Sequence, residues 1–351
     1  MAKTPVTILT GFLGSGKTTL LNYILREQKE KKYAVIENEF GAVGVDDALI
    51  RNKFKDEEDI IEMNNGCICC TVRGDLVKTL HKISAMIENG KSLDGVIIET
   101  TGMADPAPVA QTFFADDKVN NSFRIDAIIT VVDCKWILQR LDEEKQGENE
   151  AVEQVAFADV VLLNKVDLVD AEHVKKVKSR IKGINASTKM IETKYSRVDL
   201  TKITDIASFT LDRVMANDEE FLNFDQEHEH DNSVSSVGVV LDGELSMDKF
   251  NDFIQYMMKN KGVDLYRSKG VVAINGMSTK FVFQAVHMLL GGEPTDEWKV
   301  GEKRISRMIF IGKNLDEEAI RKGAQACVVR GSGEAAVEEA FTFGSGDGFK
   351  A

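Results

Sequence analysis

Eight consecutive residues constrain this chain more than any other stretch. Gly11, Phe12, Leu13, Gly14, Ser15, Gly16, Lys17 and Thr18 spell glycine, four residues, then Gly-Lys-Thr. That pattern works mechanically only where a strand feeds a helix through a glycine-rich turn. Both flanks suit it, since VTILT at 6–10 reads as a buried strand and KTTLLNYILREQKE from Lys17 onward reads as an amphipathic helix. Glycines at 11, 14 and 16 would let backbone N–H groups wrap a β-phosphate, and the helix N-terminus would add partial positive charge. Lys17 would neutralise β/γ oxygens and the Thr18 hydroxyl would ligate Mg²⁺. Ser15 and Thr19 belong to the same expected cofactor-binding set.

The surrounding pattern predicts an α/β architecture. Short Val/Ile-rich runs at 33–38, 59–64, 95–100, 125–133 and 159–165 alternate with helical stretches, the signature of buried parallel strands separated by helices. A P-loop domain with a doubly wound, mostly parallel sheet is therefore expected over 1–215. Residues 216–233 are acidic and aperiodic and read as a linker. From 234 to 330 a strand, a helix, three clustered strands and a final helix predict a smaller α+β domain with its helices on one face. The Gly/Ser/acid-biased segment 331–351 reads as a disordered tail.

Composition enters as exclusion. A length of 351 residues suits two cores rather than one, and a net charge of −13 argues against a phosphate-tracking nucleic-acid binder. No run reaches the roughly 18–20 apolar residues of a membrane span, and the opening lacks a small-residue cleavage site. The expected setting is the cytoplasm, with neither nucleic acid nor membrane as partner.

Asn164, Lys165 and Asp167 follow an apolar strand and form Asn-Lys-x-Asp. The Asp167 carboxylate can accept from both the ring N–H and the exocyclic amine of guanine, a pair that adenine does not offer. With the phosphate loop, this predicts GTP. Glu99 ends the run GVIIE and stands where an acid supports Mg²⁺, while Gly102 would let a backbone N–H reach the γ-phosphate. Lys17, Thr18, Glu99 and Glu39 form the expected catalytic set.

Five cysteines without a secretory signal indicate reduced thiols. Three of them, Cys67, Cys69 and Cys70, lie in a turn marked by Asn65 and Gly66. Their spacing suits one Zn²⁺, and the absence of a second Cys/His pair implies an open coordination position, fit for passing an ion on. A redox dithiol is the rival reading of the same residues. Cys134 and Cys327 read as buried small hydrophobes. Glu37 and Glu39 follow the second strand, placed for Mg²⁺, an incoming metal or a catalytic water, or simply as a solvated acidic loop. His228 and His230 alternate with acids in the linker, where they could hold a metal weakly.

Taken in order, GFLGSGKTT at 11–19, ENEFG at 37–41, GCICC at 66–70, ETTG at 99–102, NKVD at 164–167 and the region from Val234 to about Val329 resemble the CobW-type metallochaperone GTPases. The resemblance implies GTP-dependent metal insertion, with GTP and Mg²⁺ as cofactors and zinc as the expected cargo. By the same resemblance Cys67, Cys69 and Cys70 hold the cargo, and a client metalloenzyme is the partner, with a homodimer allowed for. Cobalt handling in cobalamin metabolism, or a GTPase switch with a redox-sensing thiol cluster, are the alternatives.

Overall fold

The computed structural model describes residues 3–37, 71–102, 105–143, 149–207 and 234–329, with backbone alone for Glu37 and residues 71–73. The run at 59–64, the cysteine cluster, the linker and the tail lie outside the described residues. The chain divides into two compact units, Met1–Ser208 and Phe209–Ala351.

In the first unit the strands are β1 (Thr4–Thr10), β2 (Tyr33–Glu37), β3 (Gly95–Glu99), β4 (Phe123–Asp133), β5 (Val160–Asn164) and β6 (Lys189–Glu192). The helices are α1 (Lys17–Glu27), α2 (Thr71–Glu88), α3 (Ala107–Ala115), α4 (Asp117–Ser122), α5 (Ile137–Asp142), α6 (Glu150–Phe157) and α7 (Ala171–Ile184). The sheet order is β2-β3-β1-β4-β5-β6, and every pairing is parallel. Strands β3 and β5 are buried at every residue, which is why they read as unbroken apolar runs rather than alternating ones. On one face Leu9, Ile97, Ile129, Val131 and Leu162 pack with Leu20, Leu21 and Ile24 of α1.

Because β1 lies between β3 and β4, the chain reverses direction of winding there, and the crevice beyond the strand ends opens at the loop after β1. Register then decides which loop residues meet. Leu9 pairs with Glu99, Glu37 pairs with Glu99 across β2 and β3, and Asp133 pairs with Asn164.

In the second unit β7 (Val234–Asp242), β8 (Leu265–Ala273), β9 (Thr279–Val286), β10 (Leu289–Glu297) and β11 (Ile305–Lys313) form an antiparallel sheet ordered β10-β9-β8-β11-β7. Two helices, α8 (Met247–Lys261) and α9 (Glu317–Ala326), pack on it. Phe250, Phe253, Ile254 and Met257 of α8 meet Val237, Val239, Met308 and Phe310, with Phe253 and Phe310 edge-to-face at 5.9 Å. Ser246 and Asp316 cap the two helices by accepting from the backbone N–H of Lys249 and Ala319. Two strands lack a sequence signal. β10 carries two glycines, a proline and three acids, and it tolerates them because among the described residues it pairs with β9 alone, at the sheet edge. β6 has four residues, and pairing with β5, its one partner among the described residues, makes it a strand.

Candidate functional site

The loop after β1 folds back on itself. Ser15 N–H donates to the Phe12 carbonyl at 3.1 Å, and the Lys17 ammonium, 7% exposed, donates to the same carbonyl at 3.3 Å. Gly16 precedes α1 with φ 112°, a left-handed backbone that L side chains rarely adopt. A Cβ there would lie 2.5 Å from Asn164 Nδ2 and 2.6 Å from Ser196 Oγ, so only glycine fits.

The Thr18 hydroxyl donates to Glu99 Oε1 at 2.7 Å, joining the start of α1 to the end of β3. Glu99 is 9% exposed. One hydroxyl and one carboxylate, both hard oxygens, fit a Mg²⁺ ion better than a soft cation. Ser15 Oγ in the loop and Thr101 Oγ1 beyond Glu99 are buried with no hydrogen-bond partner among the described residues. Thr19 is exposed on α1. Gly102 comes so close to the loop that a Cβ would sit 2.5 Å from Leu13 N.

Asn164, buried to 2%, uses every hydrogen-bonding position of its amide. It donates to the Ser15 carbonyl at 2.8 Å and to Ser196 Oγ at 2.9 Å, and accepts from Thr193 Oγ1 at 3.1 Å and from Ser196 N–H at 2.9 Å. Ser196 Oγ in turn donates to the Gly16 carbonyl at 2.9 Å. The amide is therefore committed to holding three loops together. Lys165 adds a second tie: its ammonium donates to the Gly14 carbonyl and to Asp133 Oδ2, both at 2.7 Å. Asp167 is exposed and makes no side-chain hydrogen bond among the described residues, so its carboxylate is available to a ligand.

The loop after β6 has no counterpart in the sequence reading. Tyr195 and Ser196 both adopt φ 54°, an unusual conformation for consecutive residues other than glycine. No glycine marks the turn, so composition gives no sign of it. Asp133 was legible only as a strand end; its role follows from the register that sets it opposite Asn164.

Cys67, Cys69, Cys70, Glu39, His228 and His230 lie outside the described residues, and Glu37 is placed by its backbone alone, opposite Glu99. Among the described residues no group of three or more His, Cys, Asp or Glu is arranged to hold a metal ion. Cys134 and Cys327 are both fully buried, and burial pushes each thiol up to about 12. No helix among the described residues is long and apolar enough to cross a membrane.

The chain is 35% identical over 317 residues to the zinc chaperone YjiA of Escherichia coli, covering 90% of this chain and 96% of the relative. It is also 35% identical over 346 residues to zinc-regulated GTPase metalloprotein activator 1 of Schizosaccharomyces pombe, covering 89% and 82%. The crystal structure of Zn(II)-bound YjiA GTPase from E. coli superposes with a TM-score of 0.68 at 30% identity, covering 92% of this chain and 98% of that one. Residues 5–192 match the family described as CobW/HypB/UreG, nucleotide-binding domain, and residues 234–328 match the cobalamin synthesis protein cobW C-terminal domain. The chain belongs to the CobW/HypB/UreG family of nucleotide-binding proteins.

Proposed function

We propose that this protein is a GTP-hydrolysing metallochaperone that binds zinc at Cys67, Cys69 and Cys70 and passes it to a client metalloenzyme. The observation that carries the nucleotide half is the Lys165 bridge. By holding both Gly14 and Asp133, it sets the loop bearing the exposed Asp167 beside the phosphate loop. A guanine-reading carboxylate next to a phosphate cradle is what GTP requires. The metal half rests on the Cys-x-Cys-Cys pattern and on the zinc named for the relatives above.

In this reading Lys17 and the backbone of residues 11–16 bind phosphate oxygens, and Asp167 accepts from the guanine ring N–H and amine. Asn164 and Lys165 keep the two loops in register, a positioning part for Asn164 rather than a contact with the base. Thr18 and Glu99 would hold Mg²⁺, which when bound neutralises charge on the phosphates. Thr19, in the first turn of α1, joins the nucleotide-binding set, and Gly102 approaches the terminal phosphate. Glu37 and Glu39 contact Mg²⁺, the incoming metal ion or a catalytic water. We place the work in the cytoplasm, allow for a homodimer, and assign residues 216–233 as a linker between a GTPase domain and the C-terminal domain.

Linkage supplies the test. If GTP tightens zinc binding, zinc must tighten GTP binding by the same factor. Zinc affinity is measured with a non-hydrolysable GTP analogue and with GDP, for the wild type and for Cys69→Ser. Tighter zinc with the analogue, lost in Cys69→Ser, is expected. Equal affinities would remove the coupling, and peroxide sensitivity without a change in zinc affinity in the variant would favour a thiol switch. Metal analysis of protein purified with the analogue decides between zinc and cobalt. Lys17→Ala abolishes GTP hydrolysis if the loop is the active nucleotide site.

A further inference from the structure

The pair α5 and α6 reaches both the loop after β1 and the segment beyond β3. Asn149 welds the pair together: its amide nitrogen donates to the carbonyls of Arg140, Leu141 and Glu143 at 3.0, 3.2 and 3.0 Å. Its oxygen accepts from the N–H groups of Ala151 and Val152 at the start of α6. One arm of this unit is Arg140, whose guanidinium lies 4.5 Å from the centroid of the Phe12 ring while Glu143 accepts from it at 2.8 Å. Phe12 is the residue whose carbonyl takes the Lys17 ammonium.

The other arm is Gln154. The buried side of α6 comprises Ala151, Val152, Gln154, Val155, Ala156 and Phe157, so one amide sits among apolar groups at 2% exposure. An amide is costly to bury there, and packing alone would favour Leu or Met. Its Nε2 donates to the Gly102 carbonyl at 3.4 Å, and its own backbone carbonyl accepts from Thr130 Oγ1 of β4 at 2.7 Å, anchoring the helix to the sheet. Gly102 in turn lies so near the loop that an added Cβ would meet the Leu13 backbone.

We infer that Gln154 is a positioning residue that sets the Gly102 peptide against the phosphate loop, so that GTP is distinguished from GDP partly through a side chain on α6. The inference rests on the GTPase reading above. Holding the Gly102 carbonyl fixes the orientation of Gly102, whose own N–H would then face the terminal phosphate that GTP carries and GDP lacks. Removing the amide therefore weakens GTP selectively, whereas loss of packing alone would weaken both nucleotides equally.

Gln154→Met keeps the length and apolar packing while deleting the donor. Dissociation constants for GDP and a non-hydrolysable GTP analogue, kcat, KM and Tm are measured for wild type and variant. The expected result is GDP affinity within about twofold of wild type, analogue affinity weaker by about tenfold, and a lower kcat. Equal shifts for both nucleotides, or no shift, would overturn the inference. Gln154→Glu is the second variant: its protonated carboxyl can donate to the Gly102 carbonyl and its carboxylate cannot. Its kcat relative to wild type should rise as pH falls, and a flat ratio counts against the idea even if Gln154→Met is too unstable to assay. Wild-type protein that fails to bind GTP at all sinks the GTPase reading instead, so the two failures are separable.

Discussion

The Thr18 hydroxyl donates to Glu99 across 2.7 Å although the two residues are 81 apart in the chain. They meet because β1 and β3 pair in parallel with Leu9 opposite Glu99, so the loop after one strand curls over the end of the other. Replacing Glu99 with Gln keeps an acceptor for Thr18 but removes the charge. The fold should hold, with little change in Tm, while the Mg²⁺ concentration for half-maximal GTP hydrolysis rises and kcat/KM drops by about 10²-fold. Steady-state hydrolysis across a Mg²⁺ titration checks this; unchanged Mg²⁺ dependence would remove Glu99 from the ion's shell.

Gly16 offers a test of the loop architecture. An alanine there has to accept φ 112° and push aside Asn164 Nδ2 and Ser196 Oγ. Left-handed strain plus the loss of a buried hydrogen bond costs about 2–4 kcal/mol. Gly16→Ala should lower the denaturant midpoint and abolish nucleotide binding together. Wild-type stability in this variant would mean that the three loops are not locked as observed.

Asn164 and Asp167 should separate stability from recognition. Asn164→Ala leaves the Ser15 carbonyl and the Ser196 N–H without their partner, so stability falls by about 2–4 kcal/mol and all nucleotides bind weakly. Asp167→Asn touches an exposed side chain and should leave the denaturant midpoint alone. Its amide presents a donor where guanine needs an acceptor, so GTP affinity falls by about 10–10²-fold and a xanthine nucleotide gains. Competition binding with GTP, ATP and XTP reads both effects.

The buried thiols make a pH prediction. Burial raises Cys134 and Cys327 from 9.0 to about 12, and burial likewise raises Tyr33 from 10.0 to about 12. A folded group that keeps its proton longer than the unfolded chain stabilises fully below the unfolded pKa, and that stability is lost as pH rises through the folded one. Stability should therefore decline between about pH 9 and pH 12, by up to about 1.4 kcal/mol per pH unit for each thiol. Urea melts at pH 8 and pH 10.5 test the sign. Alkylation at pH 8 followed by mass spectrometry should leave Cys134 and Cys327 unmodified in the native state and label both after denaturation.

Much of the fold is local in origin and therefore legible. The Gly-rich turn between VTILT and the helix from Lys17 carries its own geometry, and strands buried on both faces announce themselves as apolar runs. β10 and β6 do not, because what makes them strands is a neighbour's hydrogen bonds rather than their own residues. The sequence-predicted site residues Lys17, Thr18, Glu99, Gly102, Asn164 and Lys165 meet around the loop after β1, at the carboxyl ends of the strands.

Sequence alone determined which chemical groups this protein has to offer: a phosphate loop, a guanine-type Asn-Lys-x-Asp, and three clustered thiols. Tertiary structure decided what each group is free to do. Asn164 reads in sequence as the first residue of Asn-Lys-x-Asp, and the parallel register that brings Ser15, Thr193 and Ser196 around it engages its whole amide. Gln154 belongs to no sequence motif, yet the helix packing that buries it leaves its amide nitrogen facing the Gly102 carbonyl. The reason is physical: a side chain's donors and acceptors are written in its chemistry, but which of them are already satisfied depends on contacts between segments far apart in the chain.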